Sequence, residues 1–287
     1  MARLQVRKTY KLYVGGTFPR SESGRSYPVR GADGVLLAHA ARASRKDARD
    51  AVVAARAATG SWSAASAYNR GQVLYRIAEM LEGRRAQFAE EVGSAEGLDG
   101  DQAGAVVDAA IDRWVWYAGW TDKFAQVVGA ANPVAGSYFN FSVPEPTGVV
   151  AAFAPQGSSL LGLVSVVAPI IVTGNAVVVV ASEERPLPAV SFAEVLATSD
   201  VPGGVVNVLT GSTDELAPPL VSHMDVNAAD LTGLAGRDTA ELERSAADNV
   251  KRVLRPPGVE PDWRAMPDPR RIAAFTEVKT VWHPMGL

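Results

Sequence analysis

Residues 144–211 hold three short apolar segments rich in β-branched residues, and each pair is separated by a longer stretch of helical character. The three segments read GVVAAFA (148–154), AVVVVAS (176–182) and VVNVLTG (205–211). The middle one shows no polar alternation, as is typical of a parallel strand covered by helices on both faces. The order predicts a βαβαβ unit in a doubly wound parallel α/β sheet, whose ligands bind beyond the carboxyl ends of the strands.

Composition excludes several classes of function. Hydrophobic residues make up 47% of the 287 residues, enough for a large buried core, and the net charge of -3 offers no basic field for nucleic acid or anionic lipid. The chain has no cysteine, which rules out disulfides, thiolate metal sites and thiol nucleophiles. Its start, MARLQVRKTYKLYVGG, lacks the apolar core of a secretory signal, so we expect a cytoplasmic protein.

One long apolar run could be either a membrane span or part of the buried core. Residues 160–181 carry no charge and are long enough to cross a bilayer. Pro169 and the turn signal Gly174-Asn175 divide the run into a helix-sized and a strand-sized piece. We therefore predict a buried helix followed by a buried strand and no membrane partner.

Helices are predicted before this unit. Ser44 is a plausible N-cap for a helix with Ala and Val at helical spacing from Ala48 to Ala58. Residues 69–97 are predicted to form a second, amphipathic helix, and residues 102–124 a third. The third carries an aromatic group that we interpret as helix packing in preference to a ligand box: Trp114, Trp116, Tyr117 and Trp120.

Further elements are predicted around the central unit. Residues 134–143 form a strand before it, and after it come a helix-like stretch, a short strand at 226–233 and a helix at about 238–254. The Pro-rich, charged residues 255–271 are predicted to be a linker or wrapping segment. The last residues, AAFTEVKTVWHP, are predicted to form a terminal strand.

The motifs PEPTGVVAAFAP, APIIVTGNAVVV, ASEERPLPA and PGGVVNVLTG follow one another as in the NAD(P)-dependent aldehyde dehydrogenases, which the chain resembles over nearly its whole length. KLYVGGTF, RGQVLYRIAEMLE and FTEVKTVW are similar to that family too. The resemblance implies a Rossmann-like cofactor-type domain with N-terminal helices, made of residues 1–133 and 147–254. It also implies a β oligomerisation arm from residues 134–146 and 272–287, with residues 255–271 as linker.

The resemblance also implies that catalysis is lost. In the family, a Cys thiolate attacks the aldehyde, an Asn and a backbone N–H stabilise the oxyanion, and a Glu activates water. Here no cysteine is present, and the Thr232-Gly233 turn leads to one helix, the linker and the terminal strand. The chain thus resembles a truncated, non-catalytic member without the catalytic domain, like the degenerate second half of two-part aldehyde dehydrogenases.

The ligand positions that the resemblance identifies are altered. Pro155-Gln156-Gly157 stands where the family has Pro-Trp-Asn, and Val180-Ala181-Ser182-Glu183 stands for Lys-Pro-Ser-Glu. Leu234 replaces the Ser after Thr-Gly, although N–H groups of a helix starting there could still attract an anion. The resemblance implies no catalytic residue and no metal ligand. It leaves a vestigial cofactor set with weak affinity at best for NAD or NADP: Gln156, Val180, Glu183, Gly233 and Leu234.

Other polar residues have plainer interpretations. His39, His223 and His283 are scattered, with no arrangement suggesting a metal. Ser158-Ser159 is better explained by helix capping than by nucleophilic catalysis, and Glu183 also by helix N-terminal chemistry. Two carboxylate pairs, Asp47 with Asp50 and Glu90 with Glu91, are predicted to face solvent.

Our leading hypothesis is a non-catalytic accessory subunit that docks, through arm strands 134–146 and 272–287, on a full-length aldehyde dehydrogenase. A strand edge outside its own domain is a pairing template. The alternative is an NAD(P)-dependent oxidoreductase acting on aldehydes, or a dinucleotide-binding module. A third possibility is self-association through the same strands.

Overall fold

The computed structural model describes residues 7–286. The first three strands form a small sheet in the order β1-β3-β2, from β1 (Thr9–Tyr10), β2 (Ser26–Arg30) and β3 (Leu36–Ala41). The basic start of the chain lies partly outside the described residues.

Five helices follow the small sheet. They are α1 (Arg45–Ala64), α2 (Ala67–Glu82), α3 (Arg85–Glu96), α4 (Gly100–Ala118) and the short α5 (Phe124–Val128). Ser44 caps α1 as predicted, since its hydroxyl accepts from the N–H groups of Lys46 and Asp47, and the Asp47 side chain accepts from the Ser44 N–H. The single helix predicted over residues 69–97 is wrong, because Gly83 and a non-helical Arg84 separate α2 from α3.

The next strands build two sheets. β5 (Tyr138–Pro146) lies in the predicted arm, and β4 (Ala130–Asn132), which falls just before the predicted start of the arm, pairs with it and is included in the arm sheet below. Then β6 (Val149–Phe153), α6 (Leu161–Ile171), β7 (Ala176–Val180), α7 (Leu187–Leu196) and β8 (Val206–Leu209) form the predicted βαβαβ unit. The chain continues through α8 (Thr213–Val221), β9 (Ala228–Asp230) and a single 3-10 turn (Thr232–Leu234). It ends with α9 (Ala240–Ala247), β10 (Arg252–Leu254), α10 (Arg270–Ala273) and β11 (Thr276–Pro284).

The central sheet is parallel and doubly covered. Its strand order is β10-β9-β6-β7-β8, and every pairing is parallel. Alternate residues of β7 enter two separate apolar clusters: Val177 and Val179 pack with α4, α6 and α7, whereas Val178 and Val180 pack with α1 and α8. The unbroken valine run is explained by this burial on both faces. The predicted fold class is confirmed.

Two predictions near the central sheet need correction. The helix predicted over residues 238–254 ends at Ala247, because Val250 adopts a left-handed φ of 57°, and residues 252–254 add an edge strand beside β9. The strand predicted at 134–143 is displaced to 138–146.

The apolar run at residues 160–181 is interrupted where predicted, but by one signal only. Gly174 has a φ of 103°, a conformation that favours glycine, and it turns the chain between α6 and β7. Pro169 remains inside α6. Among the described helices, none has both the length and the apolar character that a membrane span requires.

The arm is a separate three-stranded antiparallel sheet in the order β11-β5-β4. Its register pairs Thr276 with Pro146 and Pro284 with Tyr138. The buried Asn175 side chain ties its base to the body, since Nδ2 donates to the carbonyls of Ile170 and Phe275 and Oδ1 accepts from the Gly148 N–H.

Candidate functional site

A cleft of about 530 Å³ lies at the carboxyl ends of β6 and β7, beside the start of α8. This is the edge at which parallel sheets bind ligands. Two of the predicted residues, Gln156 and Glu183, line the cleft. The other lining residues are Tyr27, Pro28, Arg30, Glu184, Thr213 and Arg237.

Gln156 braces the loop that follows β7. Its Oε1 accepts from the Glu183 N–H at 2.8 Å, and the Ser182 hydroxyl donates to the Gln156 carbonyl at 3.1 Å. Ser182 Oγ in turn accepts from the Arg185 N–H at 3.0 Å. The amide of Gln156 therefore already has a structural role in holding this loop.

Glu183 caps a helix, although not the one that follows it in sequence. Its Oε2 accepts from the Thr213 N–H, at the first residue of α8, at 3.3 Å. The adjacent Ser212 makes no side-chain capping bond, so this distant carboxylate takes over the role. Its second oxygen, on the half-buried side chain, remains available to the cleft.

Aromatic and basic groups complete the cleft. Burial, followed by the nearby Glu183 carboxylate, raises the pKa of Tyr27, which stays a neutral phenol at physiological pH. Arg237 is paired with Asp214 at 3.2 Å, and Arg30 donates to the Gly34 carbonyl at 2.9 Å. The cleft is thus lined by two carboxylates, Glu183 and Glu184, and by two guanidinium groups, which can bond to a ligand that carries hydroxyl groups and an anionic group.

The other three predicted residues lie at the strand ends without lining the cleft. Val180 is 1% exposed and Leu234 3%, both within an apolar cluster. An ideal Cβ on Gly233 would lie 2.1 Å from the Phe153 carbonyl oxygen, so the turn rests directly on the end of β6. Ligand binding at these positions stays a prediction.

The anion-attracting helix start predicted at Leu234 is wrong. Residues 232–234 form only a 3-10 turn, and α9 begins six residues later, at Ala240. The Thr232 N–H donates to Asp230 Oδ1 at 2.9 Å and the Leu234 N–H donates to the Leu231 carbonyl at 2.9 Å. These two donors are therefore occupied within the turn.

The two serines predicted to cap α6 have different partners. Ser158 Oγ accepts from the Gly162 N–H at 2.9 Å, close to the predicted capping role, although Leu160 is the N-cap residue. The Ser159 hydroxyl donates to Glu96 at 2.6 Å. Within residues 7–286, no group of three or more His, Cys, Asp or Glu side chains is arranged to hold a metal.

One member of each carboxylate pair faces inward, contrary to prediction. Asp47 is 7% exposed because it accepts bonds from the Ser21 hydroxyl and from the Glu22 and Ser44 N–H groups. Glu91 accepts from the Ser191 hydroxyl at 2.9 Å. Sequence spacing did not reveal these inward faces, since all the partners but Ser44 come from distant segments.

Sequence reasoning also missed a polar cluster beside the cleft. The fully buried Asp230 pairs with Arg271 at 2.8 Å, and Arg271 also donates to the Thr232 hydroxyl at 3.1 Å. Buried Arg113 donates to the carbonyls of Trp263 and Ala265, each at 2.8 Å. The one available signal was Trp263, a large aromatic residue within a Pro-rich, charged stretch.

A larger groove, of about 960 Å³, lies between α2 and the end of α4, away from the strand ends. It is bordered by the exposed Tyr68 and Tyr75 and by charges of both signs. We place the candidate site in the smaller cleft, because its polar groups converge at the edge where sheets of this type bind ligands.

The sequence comparisons with known proteins point to one protein family. Residues 20–260 match the model of the aldehyde dehydrogenase family. The chain is 32% identical over 266 residues to cytosolic 10-formyltetrahydrofolate dehydrogenase of Mus musculus, covering 88% of this chain and 28% of that protein. It is 33% identical over 255 residues to retinal dehydrogenase 2 of Gallus gallus, covering 87% and 48%.

Solved structures agree with the sequence comparison. An NAD+ complex of aldehyde dehydrogenase from Bacillus cereus superposes with a TM-score of 0.79 at 25% identity, covering 86% of this chain and 50% of that one. HpcC from Thermus thermophilus gives 0.79 at 29% identity, covering 86% and 47%. The chain thus spans about half the length, or less, of these relatives.

Proposed function

The chain belongs to the aldehyde dehydrogenase family, and we propose that it is a non-catalytic, cytoplasmic subunit that associates through its arm with a catalytic aldehyde dehydrogenase. The observation that carries the proposal is the free edge of β11, one of the two edge strands of the arm sheet. Such an edge can pair with another chain only through the backbone groups that β5 leaves unused.

The hydrogen-bond pattern of the arm follows from its two ends. The Thr147 N–H donates to the Phe275 carbonyl and the Met285 N–H to the Ser137 carbonyl, and both pairs continue the register of β5 with β11. Antiparallel strands alternate bonded and non-bonded pairs, so the odd-numbered residues of β11 bond to β5. Pro144 and Pro146, which have no N–H, face even-numbered residues, as this alternation requires.

The even-numbered residues of β11 therefore point their backbone groups outward. Val278, Thr280 and Trp282 offer three N–H groups and three carbonyls at two-residue spacing, and the side chains of Val278 and Trp282 are 62% and 58% exposed. A partner strand could pair with these groups directly. Three features of the chain agree with a docking role in place of a catalytic one: the absence of cysteine, the bracing role of Gln156 and the capping role of Glu183.

Light scattering on a mixture tests the proposal. The purified chain is combined with a catalytic aldehyde dehydrogenase from the same source, and the mass of the eluted species is measured. We expect a complex that contains both chains. A stable monomer that forms no complex would refute the proposal, and a dimer of the chain alone would favour self-pairing of the arms.

The alternative function is nucleotide binding, alone or as part of an NAD(P)-dependent oxidoreductase. It is favoured by the open cleft and by the second oxygen of Glu183. Calorimetry of the isolated chain with NAD and with NADP separates the two functions. Saturable binding at low micromolar concentration would favour the alternative, whereas binding that is much weaker than this would favour the docking subunit.

A further inference from the structure

The Pro-rich residues 255–271 form a strap across one half of the strand-end crevice. The strap leaves the central sheet after β10, the strand next to β9. Its Glu260 carboxylate lies beside the loop that follows β6, since a Cβ on Gly157 would be 3.6 Å from both oxygens. At its far end Arg271 reaches the carboxyl end of β9 through Asp230. The strap therefore touches the ends of β6 and β9, whereas none of its residues lines the cleft beside β7.

One buried residue, Trp263, anchors the middle of the strap, whose neighbouring residues are mostly exposed. Trp263 is 8% exposed and belongs to the apolar cluster of α4 and α6. Its indole N–H donates to Glu260 Oε1 at 2.9 Å, which orients the carboxylate toward Gly157. Arg113, whose other nitrogen donates to the Ser165 hydroxyl at 2.9 Å, holds the two strap carbonyls described above.

Arg271 has the geometry of a latch. It joins the strap to Asp230, a carboxylate that is 0% exposed, and to the hydroxyl of the neighbouring Thr232. A buried carboxylate is strongly destabilised when its partner is withdrawn, so the strap end and the strand end are coupled. The neighbouring Arg270 has a side chain that is 91% exposed and pairs only locally with Asp268. It provides a matched control.

We infer that this strap, latched by Arg271, covers the carboxyl edge of the sheet from β9 to Gly157, so that the cleft beside Gln156 and Glu183 admits only a mononucleotide-sized anion until the latch opens. A ligand long enough to extend from the cleft past Gly157 to the end of β9 would meet the Glu260 carboxylate and then the Arg271–Asp230 pair. The inference goes beyond the docking role and does not depend on any partner subunit.

The first test measures how readily the strap opens, as the rate of trypsin cleavage after the exposed Arg264. Arg271→Gln alone leaves Asp230 unpaired, so the informative protein is the Asp230→Asn/Arg271→Gln double variant, checked for folding by circular dichroism. We expect cleavage at Arg264 to be at least tenfold faster than in Arg270→Gln or in the unmodified chain. Equal rates in the three proteins would overturn the latch.

The second test measures binding of AMP and NAD by calorimetry to the same three proteins. We expect the unmodified chain and Arg270→Gln to bind NAD no more than threefold tighter than AMP. The double variant should bind NAD at least tenfold tighter than AMP. The inference is overturned if NAD already binds tenfold tighter to the unmodified chain, if the ratio is unchanged in the double variant, or if neither nucleotide binds. Failure of the docking proposal would instead appear in the mixing experiment and leave these ratios unaffected.

Discussion

Gln156 and Glu183 face the cleft, yet one side-chain oxygen of each is bonded to the protein's own backbone. Gln156 accepts from the Glu183 N–H, and Glu183 accepts from the Thr213 N–H. The two residues therefore form a chain of bonds that links the loop after β6, the loop after β7 and the start of α8. A ligand that used these same atoms would compete with contacts that hold three segments together.

Gly233 is predicted to be indispensable for folding. A methyl group there would collide with the Phe153 carbonyl, which is backbone and cannot move aside. We expect Gly233→Ala to lower the free energy of unfolding by about 3 kcal/mol or more, measured by urea denaturation.

Gly60 is the control for that substitution. It lies exposed within α1 and has no atom within 4 Å of an added Cβ. Gly60→Ala should therefore raise the free energy of unfolding by about 0.5–1 kcal/mol. If both variants behave alike, the close contact between the turn and β6 is refuted.

Glu91 gives a prediction about pH. Burial is the main cause that raises its pKa, and Oε2 has no hydrogen-bond partner among the described residues. Because the folded-state pKa lies above the unfolded value, protonated Glu91 favours the folded state, and this contribution is lost as pH rises through the folded pKa. We expect Glu91→Gln to be more stable than the unmodified chain by about 0.5–1 kcal/mol near pH 7.

Urea denaturation at about pH 4 and about pH 7 measures this effect, because the difference between the two proteins should shrink toward the lower pH. The exposed neighbour supplies the control, and Glu90→Gln should change neither value. A stability difference for Glu91→Gln that does not vary with pH would exclude the burial of an ionised carboxylate as its cause.

At the scale of elements, local patterns predicted most of the structure and failed where distant pairing decides. The βαβαβ unit is evident from the sequence because its three strands are apolar apart from one residue, Asn207 in β8. The sequence pattern predicts helix over residues 252–254, and these residues form the strand β10 only because they pair with β9. The break between α2 and α3 was missed for a similar reason, since Arg84 is held outside the helical conformation while its side chain pairs with Glu194 at 2.7 Å.

Two valines of β11 test the alternating direction of its backbone N–H groups. Val278 points its N–H to the free edge and Val281 points it to Phe141. We expect Val278→Pro to leave stability nearly unchanged, because proline is tolerated where an edge N–H faces solvent. Val281→Pro should lose at least about 1 kcal/mol with its ladder bond.

Thermal denaturation of the two variants checks this prediction. If the docking proposal holds as well, Val278→Pro should fail to form the complex although the arm remains folded. Equal destabilisation by the two prolines would show that the assigned alternation is incorrect.

For the whole molecule, the candidate site was harder to predict than the fold. Two of the residues predicted from the sequence, Gln156 and Glu183, line the strand-end cleft, and their role in binding stays a prediction. The cluster of Asp230, Arg271 and Arg113 was not predicted, because its contacts join residues far apart in sequence. Arg271 lies 41 residues from Asp230, and Arg113 lies 150 or more residues from the two carbonyls that it binds. Such contacts appear only when the strap is folded onto the sheet.

The architecture separates two surfaces with different roles. The parallel sheet is buried on both faces and closed by the strap over half of its carboxyl edge, whereas the arm presents an open strand. We propose that the arm is the surface that binds a partner chain, whereas the carboxyl edge of the sheet keeps only the small cleft.

The most direct measurement is amide hydrogen exchange in β11, for the chain alone and mixed with a catalytic aldehyde dehydrogenase from its source. In the isolated chain the N–H groups of Val278, Thr280 and Trp282 should exchange quickly, and those of Glu277, Lys279 and Val281 slowly. We predict that the first three become protected in the mixture while the other three hardly change. If the exchange rates of all six N–H groups are the same with and without the partner, the docking role of the arm is contradicted.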